Sequence, residues 1–335
     1  MPLPESEITK ECVSVHPVMR RNRIKEDPLP PIGLKNIRIL CQMGLIVISL
    51  ISLPVKNAFT DVPTSGPASR PRISIVENMQ RDKMMESPNL YETISKRKSV
   101  RKYDLTPLDE HTLAEIMTHR SVLKPLYDHI KVEMKLLSQK DVKGLLSAKA
   151  PHYIAVFSET KDGYLTNVGF MLQQMDLFLS ANGIGSGWQG MPKPTKEILN
   201  SSRFEFVILL AFGNPDERLH RESVLEFKRK PLAEITDVKG AFELLEPARL
   251  APSAMNYQQW FFTGNATTLH AYRAKSNFIK AFFFERMSRI SMGIALCHVW
   301  IAAKHFGKGV EFISDQEAQN HPPAGHDYVI TLNIR

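Results

Sequence analysis

The sequence predicts an α+β fold built in two halves, and three observations carry that prediction. Downstream of Met85 the apolar pattern reads helices, strand, helix, strand, and then helix, strand, helix, strand. The two most apolar helices, residues 170–182 and 289–306, hold comparable places in the two halves, which suggests an internal duplication although no verbatim repeat is visible. A chain of 335 residues with 43% hydrophobic and 23% charged content has room for one large domain or two ordinary ones. The same composition excludes a wholly disordered, collagen-like or multi-span membrane chain.

The first 85 residues stand apart. They hold 10 of the 22 prolines, which remove backbone donors and break long helices, so most of the stretch reads as extended or disordered. Residues 39–55 are the exception, with no charged side chain and with Lys35 and Arg38 just before them. A membrane helix needs about 17–25 apolar residues, and this run sits at the lower edge, with Gln42 inside it and Pro54 near its end. A signal peptide fits the apolar length but not the long preceding region or the missing Ala-x-Ala site. The remaining readings are an extension ahead of a true start at Met79, Met84 or Met85, and a packed helix. The expected organisation is therefore an extension over 1–86, a first half over 87–235 and a second over 236–335. The expected location is cytoplasmic, or membrane-anchored if residues 39–55 insert.

From Ser87 the elements follow in order. Ser87-Pro88 reads as a helix N-cap with proline at the first helical position, so that Leu90, Ile94 and Val100 face a core. Residues 106–109 (TPLD) repeat the device as a capping box ahead of a helix striped by Leu113, Ile116 and Met117. Residues 152–158 (HYIAVFS) form a short apolar strand. Residues 170–182 form a helix with a broad buried face, stopped by Asn182-Gly183. Residues 206–212 (FVILLAF) are a fully apolar, central strand. A helix over 237–249, weakened by Pro247, opens the second half. A strand at 260–263, the apolar helix 289–306 ending at Gly307, and a closing strand at 328–334 complete it.

Four clusters invite a chemical reading beside a bland one. Residues 97–101 (RKSVR) place three cations and a hydroxyl at a helix end, suited to phosphate oxygens or simply to solvent and the helix dipole. Residues 183–190 (GIGSGWQG) form a loop after a buried helix, where glycines admit a flat ligand or provide an ordinary connection; a dinucleotide fingerprint would precede the helix instead. Residues 227–232 (FKRKPL) are a basic run, in the bland case a solvated face. Residues 251–260 (APSAMNYQQW) combine small residues, amides able to read the edge of a heteroaromatic ring, and one Trp that a plain turn would bury. His298 and His305 read as packed or capped side chains. His321 and His326 lack carboxylate neighbours suited to metal. Cys12, Cys41 and Cys297 show no CxxC spacing, so neither a disulfide framework nor a metal site is expected. The net charge of +8 divides equally between residues 1–85 and the rest, too thin a spread to point to nucleic acid.

Taken together the clusters resemble the FMN-dependent nitroreductase family. The likeness rests on Arg-x-Ser-x-Arg (Arg97, Ser99, Arg101), the Gly-rich run after a buried helix, Lys-Arg-Lys-Pro-Leu after an apolar strand, and Ala-Pro-Ser-x-x-Asn-x-Gln-x-Trp, and it covers residues 88–335. It implies a nitroreductase-like fold of two fused half-domains, with mixed or antiparallel sheets flanked by helices. Family members carry the Ala-Pro-Ser motif soon after the Arg motif and work as homodimers with flavin at the interface. Here the motifs lie in different halves, so the chain is similar to the internally duplicated, single-chain subgroup. The resemblance then implies one flavin site between the halves, a pseudo-dimeric monomer and a small-molecule electron acceptor as partner. Gln259 stands where the family has proline, which leaves the local turn open.

By the same resemblance, Arg97, Ser99 and Arg101, with Lys98 beside them, would hold the phosphate, ribityl chain and pyrimidine edge of FMN. Lys228 and Arg229 would add phosphate contacts. Pro252 and Ser253 would pack near the ring, with Asn256 and Gln258 close by, and Gln189 and Gly190 would present backbone groups to N5. The implied activity is hydride transfer from NAD(P)H, the co-substrate, through flavin to a nitroaromatic, quinone or similar acceptor. Flavin carries the chemistry, and Arg101 or Arg97 would stabilise its negative charge. A non-catalytic flavin-binding or sensing module is the alternative. If the motif arginines serve only the ligand, Arg97→Ala with Ser99→Ala removes flavin and leaves the fold intact.

Overall fold

The structure, a computed structural model, describes residues 88–144, 148–275 and 281–335, without the side chains of residues 281–283. The apolar run at 39–55, Ser87 and the candidate starts therefore lie outside the described residues. Two antiparallel four-stranded sheets and two long buried helices organise the rest.

Strands β1 (Val132–Ser138), β3 (His152–Ser158), β6 (Glu205–Gly213) and β4 (Gly185–Gln189) form the first sheet, in the order β1-β3-β6-β4. Strands β7 (Trp260–Gly264), β8 (Thr268–Ala274), β10 (His326–Ile334) and β9 (Val310–Ile313) form the second, in the order β7-β8-β10-β9. Both sheets thus run first, second, fourth, third strand. Each receives a helix before its first strand, α2 (Glu110–His119) and α5 (Phe242–Arg249). Each also has a long helix after its second strand, α3 (Tyr164–Ala181) and α6 (Ala281–His305). Short pieces complete the chain: α1 (Leu90–Ile94), α4 (Lys196–Asn200), α7 (Gln316–Asn320) and the ribbon of β2 (Val142–Lys143) with β5 (Lys193–Pro194).

The core explains the apolar runs. All seven residues of β3 are buried. Ile154 and Val156 face the main core with α3 and α6, while Tyr153, Ala155 and Phe157 face a second cluster with Leu137, Leu209 and Val100. A strand covered on both sides reads as a continuous apolar run. Helix α3 is buried nearly all round, as an apolar helix in the centre of a domain must be. It crosses α6 at two glycines. A Cβ on Gly169 would lie 2.1 Å from the Ile290 carbonyl oxygen, and one on Gly293 would lie 1.9 Å from that of Thr166. The helices also pin turns in matching ways. Two residues before Gly169, Asn167 Oδ1 accepts the amides of Leu126 and Tyr127 at 2.8 and 3.0 Å. Two residues before Gly293, Ser291 Oγ accepts the amide of Ala254 at 3.2 Å.

Several boundaries depart from expectation. Helix α1 is capped by Asn89, whose side chain accepts the Glu92 amide. Helix α2 is capped by Asp109, not by Thr106, because the helix begins at Glu110 and the Asp109 side chain accepts the Thr112 amide. Helix α3 starts at Tyr164 rather than 170, since the polar and β-branched residues of its first turns are held by packing on α6. Helix α6 likewise starts at Ala281 rather than 289. Helix α5 is shorter than the predicted 237–249 and carries Pro247 inside it. The stop at Asn182-Gly183 is present, with Gly183 at φ 80° and the Ile184 amide bonded to Leu179. Residues 235–236 already pair with β7, through a Thr236–Phe262 bridge and the Phe262 amide on the Ile235 carbonyl. Strands β1, β4, β8 and β9 had no counterpart in the sequence reading. Among the described residues no helix is long and apolar enough to cross a membrane.

Candidate functional site

A cavity of about 320 Å³ opens between the two sheets' elements. One wall is Ser99, Arg101, Trp188, Gly190 and Met191; another is the turn of Pro252, Ser253, Ala254 and Met255. The floor comes from Ile208 on β6 and from Met287, Ile290, Ser291 and Ile294 on α6. Three of the four clusters thus converge on one apolar cavity of a size that small-molecule sites occupy. Arg101 is the charged residue of this lining.

The Gly-rich run is not a loop. Residues Gly185–Gln189 are β4, an edge strand paired with β6. Its glycines serve the neighbouring chain: a Cβ on Gly187 would lie 2.6 Å from the Val100 carbonyl oxygen, and one on Gly185 would lie 3.0 Å from the Val100 methyls. The Val100 amide bonds to the Ser186 carbonyl at 2.8 Å, which pins the segment to β4 at Val100, while Arg97 and Tyr103 pair with His220 and Pro215; between them Ser99 and Arg101 reach the cavity. Strand propensity hides such an element, because glycine is depleted in strands.

The first cluster divides. Arg97 is buried, with Nε 2.8 Å from Asp176 on α3. Lys98 turns to Glu217 at 2.8 Å and so is a structural cation here, not a lining residue. Partial burial works to raise the Glu217 pKa, but Lys98 and the Arg101 and Lys102 amides outweigh it and hold the carboxyl down at about 2. Asp176 is fully buried and also accepts Ser186 Oγ at 2.5 Å and the Trp188 indole at 3.4 Å. Asp176 was absent from the sequence candidates. Its signal was available, since it is the single charged residue of α3.

Beside the cavity three guanidinium groups gather. Arg221 donates to the Arg97 carbonyl and stacks on Phe227, with its Cζ 4.0 Å from the ring centroid. Arg229 lies over the same ring at 5.4 Å and donates to Asn256 Oδ1 at 2.7 Å. Burial, and then the charges of Arg221, Arg97 and Arg249, bring the Arg229 pKa down to about 10. Among the described residues, neither Arg221 nor Arg229 has a carboxylate at ion-pair distance, and Asp176 answers Arg97 alone. Arg97 Nε and Nη2 and Arg229 Nε are buried without a hydrogen-bond partner, so Arg97 and Asp176 meet as an ion pair and not through a directed hydrogen bond. Arg221 was missed by sequence reasoning, because an isolated arginine in a loop carries no pattern.

The amide-rich cluster does something other than ring recognition. Asn256 Nδ2 donates to the Lys228 carbonyl at 2.7 Å. Gln258 Oε1 accepts the Lys230 amide at 2.7 Å, and Lys230 Nζ returns to the Gln258 carbonyl at 3.2 Å. Asn256 and Gln258 therefore clamp the 228–230 segment to the turn and do not line the cavity. The Lys228 side chain is exposed. Gln189 is also turned inward, accepting the Ala148 amide at 3.2 Å, so that Gly190 alone of that pair reaches the cavity. Met255, Asn256 and Gln258 adopt left-handed backbone, with φ of 53°, 60° and 49°. A proline at 259 would force residue 258 to extended backbone, which accounts for Gln259 in place of the family proline. His298 is packed, as expected. It is held between Gln173 at 3.1 Å and the Pro247 carbonyl at 2.8 Å, and burial brings its pKa down to about 3.

Residues 89–303 match the family model described as "Putative TM nitroreductase". A solved structure described as a "putative nitroreductase" from Thermotoga maritima superposes with a TM-score of 0.51 at 22% identity, over 73% of this chain and 93% of that one. A nitroreductase with bound FMN from Desulfitobacterium hafniense matches 40% of this chain and 92% of its own, at 12% identity and a TM-score of 0.34. An FMN-dependent nitroreductase from Clostridium difficile matches 42% and 96%, at 17% identity and a TM-score of 0.33. No curated protein matches the chain. With about two thirds of its length inside the family model, and with the fold of the Thermotoga maritima protein, the chain belongs to this nitroreductase family.

Proposed function

We propose that this chain is an FMN-dependent oxidoreductase that takes hydride from NAD(P)H and passes electrons to a nitroaromatic, quinone or similar acceptor. One observation carries the reading. An apolar cavity built from both sheets' elements adjoins Arg97 and Arg229, which keep buried donors without a hydrogen-bond partner, with Arg221 bonded to the Arg97 carbonyl beside them.

The residues fit FMN at both ends. A phosphate offers acceptor oxygens and charge to Arg97, Arg221 and Arg229, which have donors in excess of acids. Ile208, Ile290, Ile294 and Met287 offer apolar surface to a flat ring system, and Gly190 and Ala254 keep that surface close. Ser99 and Arg101 would hold the ribityl chain and the pyrimidine edge, with Pro252 and Ser253 beside the ring. Flavin, when bound, supplies the hydride chemistry. Arg101 would stabilise the negative charge that reduction places on the ring edge. No lining side chain is suited to act as general acid or base, so these residues bind, orient and exclude water. The repeated sheet connectivity supports a duplicated chain that forms its site alone, as a monomer.

The test is spectroscopic. The purified full chain should carry a flavin absorption spectrum, bleach anaerobically with NADH or NADPH, and recolour with a nitroaromatic. A yellow protein indifferent to both nucleotides would instead be the non-catalytic flavin module. A chain that takes up no added FMN overturns the proposal.

A further inference from the structure

Asp176 is a buried carboxylate that no binding role above uses, and it stands between the two parts of the site. Its Oδ2 lies 2.8 Å from Arg97 Nε and takes the Trp188 indole N–H at 3.4 Å, while its Oδ1 takes Ser186 Oγ at 2.5 Å. Arg97 belongs to the guanidinium cluster, and Trp188 belongs to the cavity wall. The shared oxygen is divided between an ion pair at 2.8 Å, in which the Arg97 Nε–H makes no directed hydrogen bond, and a stretched indole hydrogen bond at 3.4 Å. A third group drawing on Arg97 must change that division. The buried Arg97 Nη2, which has no hydrogen-bond partner, is the donor through which an anion would draw.

We infer that Asp176 is a positioning residue that couples anion binding at the arginines to the Trp188 wall of the cavity. When an anion with phosphate chemistry engages Arg97, the hold of Arg97 on Oδ2 slackens and the indole N–H closes on that oxygen. Trp188 then moves at the cavity wall. Ser186 keeps the other oxygen in place, so the displacement passes to Trp188 instead of being absorbed by rotation of the carboxylate. The inference rests on the phosphate reading given above, and it adds to that reading a signal from the anion end of the site to the end where an acceptor would sit.

The test uses the full chain free of flavin, with inorganic phosphate as the probe. Binding is read by calorimetry and the indole by fluorescence. The difference between the native chain and Trp188→Phe assigns the signal to Trp188 rather than to Trp260 or Trp300. Phosphate that binds and shifts Trp188 emission with the same midpoint supports the coupling. In Asp176→Asn, Arg97 loses its counter-charge, so phosphate should bind about fivefold more tightly while the Trp188 response disappears. A purely structural carboxylate would not produce that pair of changes. If this variant does not fold, Trp188→Phe decides, because coupling is reciprocal: without the indole, Oδ2 belongs wholly to Arg97 and phosphate should bind about fivefold more weakly. Phosphate binding without a Trp188 response, or with unchanged affinity in Trp188→Phe, overturns the coupling and leaves the phosphate reading standing. A chain that binds no phosphate overturns both.

Discussion

Arg97 illustrates how one motif residue takes on a second duty inside a fold. In the sequence it is the first cation of a basic run; in the structure its guanidinium is sealed against Asp176. Removing one partner of a buried pair strands the other charge, at a cost of about 3–5 kcal/mol. Arg97→Ala, alone or with Ser99→Ala, should therefore lower stability by that amount in denaturant unfolding, contrary to the expectation of an intact fold. His298 gives a pH dependence. Burial lowers its folded pKa to about 3 from the ordinary 6.5, so the unfolded chain takes up a proton that the folded chain refuses. Its contribution to stability is complete above pH 6.5 and declines as pH falls from there toward about 3. Denaturant midpoints at pH 7 and pH 5 should differ in the native chain, and by less in His298→Gln.

Between elements, close approach is set by missing side chains. The crossing of α3 and α6 leaves no room for a Cβ at Gly169 or Gly293. Gly293→Ala should cost about 1–3 kcal/mol in thermal or chemical unfolding, as overpacked cores do. Gly309→Ala, where nothing lies within 4 Å, should change little. The 97–103 segment depends on β4 in the same way. Gly187→Ala would push Val100 off the strand and carry Ser99 and Arg101 out of the cavity wall, so it should weaken FMN binding in a flavin-quenching titration while leaving secondary structure by circular dichroism unchanged.

At the scale of the molecule, the cavity draws on both sheets' elements, so a ligand there stabilises the whole of residues 88–335 as one unit. FMN at about 100 times its Kd should add about 2.7 kcal/mol to unfolding and raise the melting temperature in a single transition. Calorimetric scans with and without FMN check this, and two separated transitions would contradict it. Much of this architecture was legible in the chain itself. The buried strands 152–158 and 206–212 and the two apolar helices announced themselves, because a segment covered on all sides is predominantly apolar. The motif residues Ser99, Arg101, Gly190, Pro252 and Ser253 were legible as a set and do meet at one cavity. The edge strands β1, β4 and β9 and the internal strand β8 were not: β4 is rich in glycine, β9 has four residues, and β1 and β8 mix polar and apolar positions, so none has a period of its own.

By itself the sequence determined which segments must be buried, where the apolar C-terminal parts of the two long helices lie and which side chains are chemically able to serve an anion and a flat ring. Only the tertiary structure decided how those side chains are used. It turned Lys98 to Glu217, spent the amides of Asn256 and Gln258 on the 228–230 segment, and brought Arg221, Asp176 and the α6 residues Met287 and Ser291 into or beside the site. The physical reason is that burial follows from local composition, whereas a hydrogen bond or ion pair needs a partner whose position is set by distant chain crossings. The glycine contacts between α3 and α6 and between β4 and Val100 are such crossings, and they fix those partners here.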